Sequence, residues 1–187
     1  IRLNGIDIQQ VEPEMGDQPY RSRSSAGKLL AVSGGLTESL IRTLYFMITG
    51  KDMVQPKIQE LRSSKGRKEY RIKIGEYNLG FVVINGIGFF PEFLKELEKG
   101  RNDVHYVEVM ACPGGCVGGG GQPIHPMDNN IRARAKAIHE IDDKEAVRFA
   151  HRNPSLLLLY ENLLGSPLSE TSLRMLHTSY QRREVMH

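Results

Sequence analysis

Two residues of this chain carry thiols, Cys112 and Cys116, and they stand four apart. They lie in the stretch Glu108-Val109-Met110-Ala111-Cys112-Pro113-Gly114-Gly115-Cys116-Val117-Gly118-Gly119-Gly120-Gly121-Gln122-Pro123, which also holds six of the nineteen glycines. Glycine permits positive φ and close approach of a bulky object to the backbone. Consecutive free N–H groups in such a loop suit an anionic, sulfur-rich cluster, because they donate hydrogen bonds to it. Three simpler chemistries compete with that one. A disulfide between the two cysteines is geometrically demanding and is disfavoured in a reducing compartment. Zinc, with His125 as a further ligand, normally uses shorter cysteine spacing and a second ligand pair. A phosphate loop lacks its Gly-Lys-Ser/Thr ending. None of the three accounts for the glycine density. Iron–sulfur ligation is the preferred physical reading, and two cysteines supply half of a four-thiolate site.

Position follows from the elements around the loop. The apolar run Val104 to Met110 reads as a mostly buried strand that stops at Pro113-Gly114-Gly115. Upstream, Glu69–Ile74 alternates like a strand, Leu79–Ile84 is a continuous apolar strand, and Pro91 opens a helix to Lys99, closed by Gly100. Strand, helix and strand in this order predict a right-handed βαβ unit. The expected fold is α/β: a mostly parallel sheet flanked by helices, with a helical C-terminal extension. Sites in such sheets gather at the carboxyl ends of strands, where Asn85-Gly86-Ile87-Gly88 and the cysteine loop both fall.

A further helix is predicted over Leu36–Thr49, with apolar residues at helical spacing and Gly50 as its stop. Ser33-Gly34-Gly35 precedes it and is placed to bind an anion at the helix start. Beyond Pro126 the pattern predicts helices over Ile131–Ile141 (capped by Asn129 or Asn130), Lys144–Arg152 (capped by Asp143), Pro154–Leu164 and Pro167–His177. Arg132 and Arg134 read as a solvated face; His105, His139 and His151 read as surface or satisfied histidines. Residues 1–28 read as an exposed connecting segment.

Composition bounds the rest. At 187 residues with 40% hydrophobic and 25% charged residues, the chain is ordinary globular material with enough length for a core. A net charge of +3 is too mild for a nucleic-acid partner. No apolar run is long enough for a transmembrane helix, and Ile1-Arg2-Leu3-Asn4 does not open a signal peptide. The absence of an initial Met reads as a fragment or a processed piece.

The stretch from Glu108 to Pro123 resembles the third signature motif of the di-iron (FeFe) hydrogenases. Ser33-Gly34-Gly35-Leu36 with Glu38 and Arg42 is similar to that family's Thr-Gly-Gly-Val…Glu…Arg segment. Arg132-Ala133-Arg134-Ala135, Ile141-Asp142, Asn153-Pro154, Leu159-Tyr160, Leu164-Gly165, Leu176-His177-Thr178 and Tyr180 are similar to its C-terminal part. The resemblance implies that residues 1–187 are the C-terminal lobe of a hydrogenase catalytic domain, whose partner is the N-terminal lobe. It implies reversible reduction of protons to dihydrogen at an H-cluster: a 4Fe–4S cube bridged by a cysteine sulfur to a di-iron unit with CO, cyanide and a dithiolate amine. By position, Cys112 is one cube ligand, Cys116 is the ligand shared with the di-iron unit, and Met110 packs against that unit. Ser33 and Gly34 line the cofactor. The first two family signatures are absent, so the resemblance places the other ligands outside this chain. Leu30, Ala31 and Phe89 depart from the family's usual Phe, Gly and Asn. Ferredoxin or NAD(P)H-linked electron-transfer subunits, cluster-maturation proteins and a cytoplasmic location are implied as well. The alternatives are a hydrogenase-like iron–sulfur assembly protein and a low-activity sensory hydrogenase; the tail from Arg132 to Thr178 favours the hydrogenase.

Overall fold

The computed structural model describes residues 2–123, 129–179 and 181. His125, weighed above as a zinc ligand, and Tyr180 lie outside them. Among the described residues there is a three-stranded sheet in the order β1 (Arg67–Ile74), β2 (Tyr77–Asn85), β3 (Tyr106–Met110). Two residues, Gly75 and Glu76, join β1 to β2, and Gly75 has φ +59°. A link that short permits only antiparallel pairing, with Ile74 opposite Tyr77. The β2–β3 pair is parallel, Phe81 opposite Tyr106 and Asn85 opposite Met110. Its crossover carries α3 (Phe90–Glu98). The α/β class and the helix-bearing crossover are as expected; the hairpin makes one of the two pairings antiparallel.

Strand β2 is the centre of the sheet, and its alternation fills both faces. Phe81 and Val83 join Ile41, Ile58 and Leu61 on one side, the side of α2 (Gly35–Thr49). Val82 and Ile84 meet Phe93 of α3 on the other. Burial on both faces explains why this run reads as continuously apolar. Each fully buried Val, Ile or Phe contributes about 1.5–3 kcal/mol relative to exposure. A third cluster lies under the cysteine loop: Leu29 of α1 (Ser25–Leu29), Val32 and Val117, covered by Ile131, Ala135 and Ile138 of α4 (Asn129–Lys144).

The C-terminal part is helical, as expected, with three differences in detail. The helix predicted over Lys144–Arg152 is absent: α4 continues to Lys144, and only a 3-10 turn at Ala150–Arg152 follows. Asp143 does not cap a new helix because it lies in the last turn of α4, where Lys57, Arg62 and Arg148 hold its carboxylate. The run from Pro154 is α-helical to Leu159 (α5) and then widens into a π turn, Tyr160–Leu164. The last helix, α6, spans Glu170–Leu176 and begins where the Ser169 hydroxyl accepts from the Ser172 N–H, three residues later than Pro167.

Candidate functional site

The cysteine loop leaves the carboxyl end of β3 and is fastened on three sides. Gly86 N donates to Met110 O at 2.9 Å and Ile87 N to Ala111 O at 3.3 Å, so the turn after β2 and the start of the loop are joined. Asn85 completes that side: its Oδ1 accepts from Gly114 N at 2.6 Å, while its Nδ2 donates to the carbonyls of Ser64 and Lys65. The turn after α1 forms the second side. Ser33 N donates to Gly114 O at 3.0 Å, and Val117 N donates to Ala31 O at 3.2 Å. The third side is α4, from which Arg134 Nη1 donates to Val117 O at 3.0 Å. Arg134 is therefore more than a solvated residue.

The glycines of the loop are required where these segments touch. A Cβ on Gly115, which has φ +86°, would stand 2.9 Å from both Ala31 O and Ser33 N. A Cβ on Gly118 would stand 2.2 Å from Pro113 O. Within the loop, Gly115 N donates to Cys112 O and Gly119 N to Cys116 O. Cys112 is half-buried, Cys116 is exposed, and both are free thiols. Met110, also half-buried, closes β3 just before them.

Ser33 and Gly34 lie beside this loop, and the anion expected at the start of α2 is a carboxylate of the protein itself. Glu108, buried in β3, accepts from Gly34 N (2.6 Å), Thr37 N (2.8 Å) and Thr37 Oγ1 (2.7 Å). A carboxylate there satisfies orphan amides of the first turn and complements the helix dipole. Lys68 stands next to it. The residue is 4% exposed, and its ammonium donates to Ser33 O (2.7 Å) and Leu61 O (2.9 Å). Burial pushes the Lys68 pKa down to about 8, against the attraction of Glu108 and Glu38. Glu108, Asn85 and Lys68 are the residues that sequence reasoning missed. For Glu108 and Asn85 the signal was a polar group inside or ending an otherwise apolar strand pattern; Lys68, in the charged run Lys65–Glu69, carried none.

These donors fit part of an iron site. Two free thiols stand on one loop, and Gly119 lacks the Cβ that would stand 3.4 Å from Cys112 Sγ. Among the described residues, no group of three or more His, Cys, Asp and Glu is placed to hold a metal ion. Two thiolates therefore do not complete a cluster by themselves.

A glycine-rich loop at the carboxyl edge of an α/β sheet here carries two free thiols, the ligand type of iron–sulfur proteins, and comparison with known proteins gives the family. Residues 1–120 match the iron-only hydrogenase large subunit, C-terminal domain, and residues 128–183 match the iron hydrogenase small subunit. The chain belongs to the iron-only hydrogenase family. It is 38% identical over 185 residues to the NADP-reducing hydrogenase subunit HndD of Solidesulfovibrio fructosivorans, covering 98% of this chain and 32% of that protein. It is 28% identical over 190 residues to cytosolic iron-sulfur assembly component 3 of Rattus norvegicus, covering 100% of this chain and 40% of that one. The apo FeFe-hydrogenase HydA1 from Chlamydomonas reinhardtii superimposes with a TM-score of 0.67 at 29% identity, over 96% of this chain and 52% of the other. The chain thus spans about a third of the length of the hydrogenase HndD. Among the described residues no helix is long and apolar enough to cross a membrane.

Proposed function

We propose that this chain is the C-terminal lobe of an FeFe-hydrogenase catalytic domain and that Cys112 and Cys116 ligate an H-cluster shared with an N-terminal lobe. The observation that carries the reading is the pair of free thiols on a loop clamped by Asn85, Ser33 and Arg134. When bound, the H-cluster supplies the redox chemistry that joins protons and electrons into dihydrogen. The chain's own part is to hold and orient. Cys112 would be held as a cube ligand, and Cys116 would be the second thiolate this chain gives the cluster. Met110, at the end of β3, would offer a polarizable thioether to the di-iron unit. Ser33 and Gly34 stiffen the loop from behind, since the Ser33 N–H is bonded to Gly114 and the Gly34 N–H to Glu108. Electron supply by ferredoxin or an NAD(P)H-linked subunit is in keeping with the relative named an NADP-reducing hydrogenase subunit. Delivery of the cluster by maturation proteins and a cytoplasmic location complete the proposal.

A second reading, an iron–sulfur assembly protein, is supported by the relative of that name, matched over 100% of this chain and 40% of that protein. One experiment separates them. The intact protein is produced together with cluster-maturation enzymes, and hydrogen evolution is measured alongside the infrared bands of CO and cyanide. Activity with those bands supports the hydrogenase. Bound iron without either would establish the assembly reading in its place.

A further inference from the structure

The peptide unit between Ser33 and Gly34 is gripped at both of its polar ends by buried side chains of opposite charge. Its carbonyl, Ser33 O, accepts from Lys68 Nζ at 2.7 Å, and its N–H, on Gly34, donates to Glu108 Oε1 at 2.6 Å. Lys68 stands on β1 and Glu108 on β3, so the grip spans the sheet. Each has further partners: Lys68 donates to Leu61 O, and Glu108 accepts from Thr37 N and Thr37 Oγ1. Gly34 has φ +92°, and glycine gives this peptide the freedom to turn over. Turned over, the carbonyl would face the carboxylate and the N–H would face the ammonium, which the two charges oppose. The turn held in this way is the one that fastens the cysteine loop, because Ser33 N donates to Gly114 O and Ala31 O accepts from Val117 N. Gly114 lies between the two cysteines. One residue and two hydrogen bonds separate Lys68 Nζ from the loop, a span on the order of 10 Å.

We infer that Lys68 is a positioning residue for a cluster held by Cys112 and Cys116: its ammonium fixes the 31–34 turn against the cysteine loop, and its charge favours the reduced state of that cluster, a role that rests on the ligation proposed above. Reduction adds one electron, drawn from the donor subunit, to a group beside the loop, and a buried cation nearby lowers the energy of the added charge. Glu108 and Glu38 offset the cost of burying Lys68. They carry the same charge in both oxidation states, so they do not cancel the effect of removing the cation. Burial lowers the Lys68 pKa only to about 8, which leaves the ammonium charged at pH 7. A unit charge on the order of 10 Å away, at an effective dielectric constant of about 20, changes a one-electron equilibrium by about tenfold, or about 59 mV.

Redox titration of the intact, matured protein at pH 7, followed in the infrared, reads the charge; hydrogen exchange of the metal-free form reads the position. Lys68→Met should lower the potential, by about tenfold in that equilibrium. Glu108→Gln removes a negative charge from the other end of the same peptide and should raise it. A loosening common to both variants does not produce opposite signs. In metal-free Lys68→Met the amides of Ser33 and Val117 should exchange faster, by about tenfold relative to those of β2. Lys95→Gln, an exposed cation of α3, should change neither reading. A potential unmoved in Lys68→Met, shifts of the same sign in Lys68→Met and Glu108→Gln, or unchanged exchange at Ser33 and Val117 overturns the role of Lys68 while leaving the ligation intact. Absence of the CO and cyanide bands from the unsubstituted protein overturns the ligation, and this role with it.

Discussion

Glu108 shows how one side chain joins two elements that the sequence keeps far apart. Its carboxylate takes three hydrogen bonds from Gly34 and Thr37 while its backbone belongs to β3. Glu108→Gln places an amide N–H₂ against donors and leaves at least one of them unpaired. A loss of about 2–4 kcal/mol in urea unfolding is expected, in line with hydrogen bonds to a buried charged group. Lys68 makes the opposite kind of contribution. Its folded pKa of about 8 lies below the ordinary 10.5, so the unfolded chain binds more protons between those values. Stability should therefore rise with pH from about 8 towards 10.5, by about 3 kcal/mol at most. Lys68→Met should abolish that rise in denaturation series run from pH 7 to 10. Burial raises the pKa of Tyr70 and Tyr106, which opposes the rise only at the upper end. At Cys116 the prediction tests the proposed ligation. Cys116→Ala in the intact, matured protein should remove the CO and cyanide infrared bands while leaving the melting temperature of the metal-free form within a few degrees. Retained bands would refute the assignment.

Elements here are set by backbone contacts as much as by side chains. Gly27 and Gly35 are eight positions apart and both helical, yet their surroundings differ. A Cβ on Gly35 would stand 1.8 Å from Leu29 O, a backbone atom that cannot step aside; a Cβ on Gly27 meets nothing within 4 Å. Gly35→Ala should therefore destabilise by about 3 kcal/mol or more, whereas Gly27→Ala in α1 should stabilise by up to about 1 kcal/mol through helix propensity. Thermal melts of the two variants check the pair, and a shift of the same sign for both would contradict the close approach of α1 to α2. This approach seats the 31–34 turn against the cysteine loop. The helical spacing of α2 was legible in Leu40, Ile41, Leu44 and Ile48, and its stop was legible in Gly50, which has φ +71°. The misread helix after Asp143 has a tertiary cause. A residue suited to capping was instead taken up by Lys57, Arg62 and Arg148.

A buried ionic joint, beside the apolar cluster under the cysteine loop, links the large-subunit-like and small-subunit-like parts of the molecule. Arg42 of α2 is 0% exposed. It donates through Nη1 and Nη2 to both carboxylate oxygens of Asp142 in α4, each at 2.8 Å, and through Nη2 to Glu38 at 2.6 Å. Arg62 and Arg148 also reach Asp142, and Ser25 Oγ donates to it at 2.6 Å. Burial alone would raise the Asp142 pKa; Arg42, Ser25 and Arg148 together overcome it and hold the carboxyl well below the ordinary range. Because the folded value is the lower one, this stabilisation is present above pH 4 and is lost as pH falls further. Asp142→Asn leaves buried guanidinium charge uncompensated and should cost about 3–5 kcal/mol at pH 7. Hydrogen exchange should show α4 deprotected first, and a uniform loss across the sheet would argue against a joint.

By itself, the sequence determined the chemistry and the local order: two thiols in a glycine-rich loop after an apolar strand, a βαβ unit to deliver that loop, and helices on both sides. Those follow from residue type and spacing, which act over a few positions. It left undecided that Glu108 would fill the helix start it was expected to leave for a ligand, that Asn85 and Arg134 would fasten the loop, and that Arg42 would meet Asp142. Only the tertiary structure decided these, because each bond joins residues between 17 and 100 positions apart. Such contacts form when the core brings distant segments together, and no local periodicity records which polar groups that closure leaves facing one another.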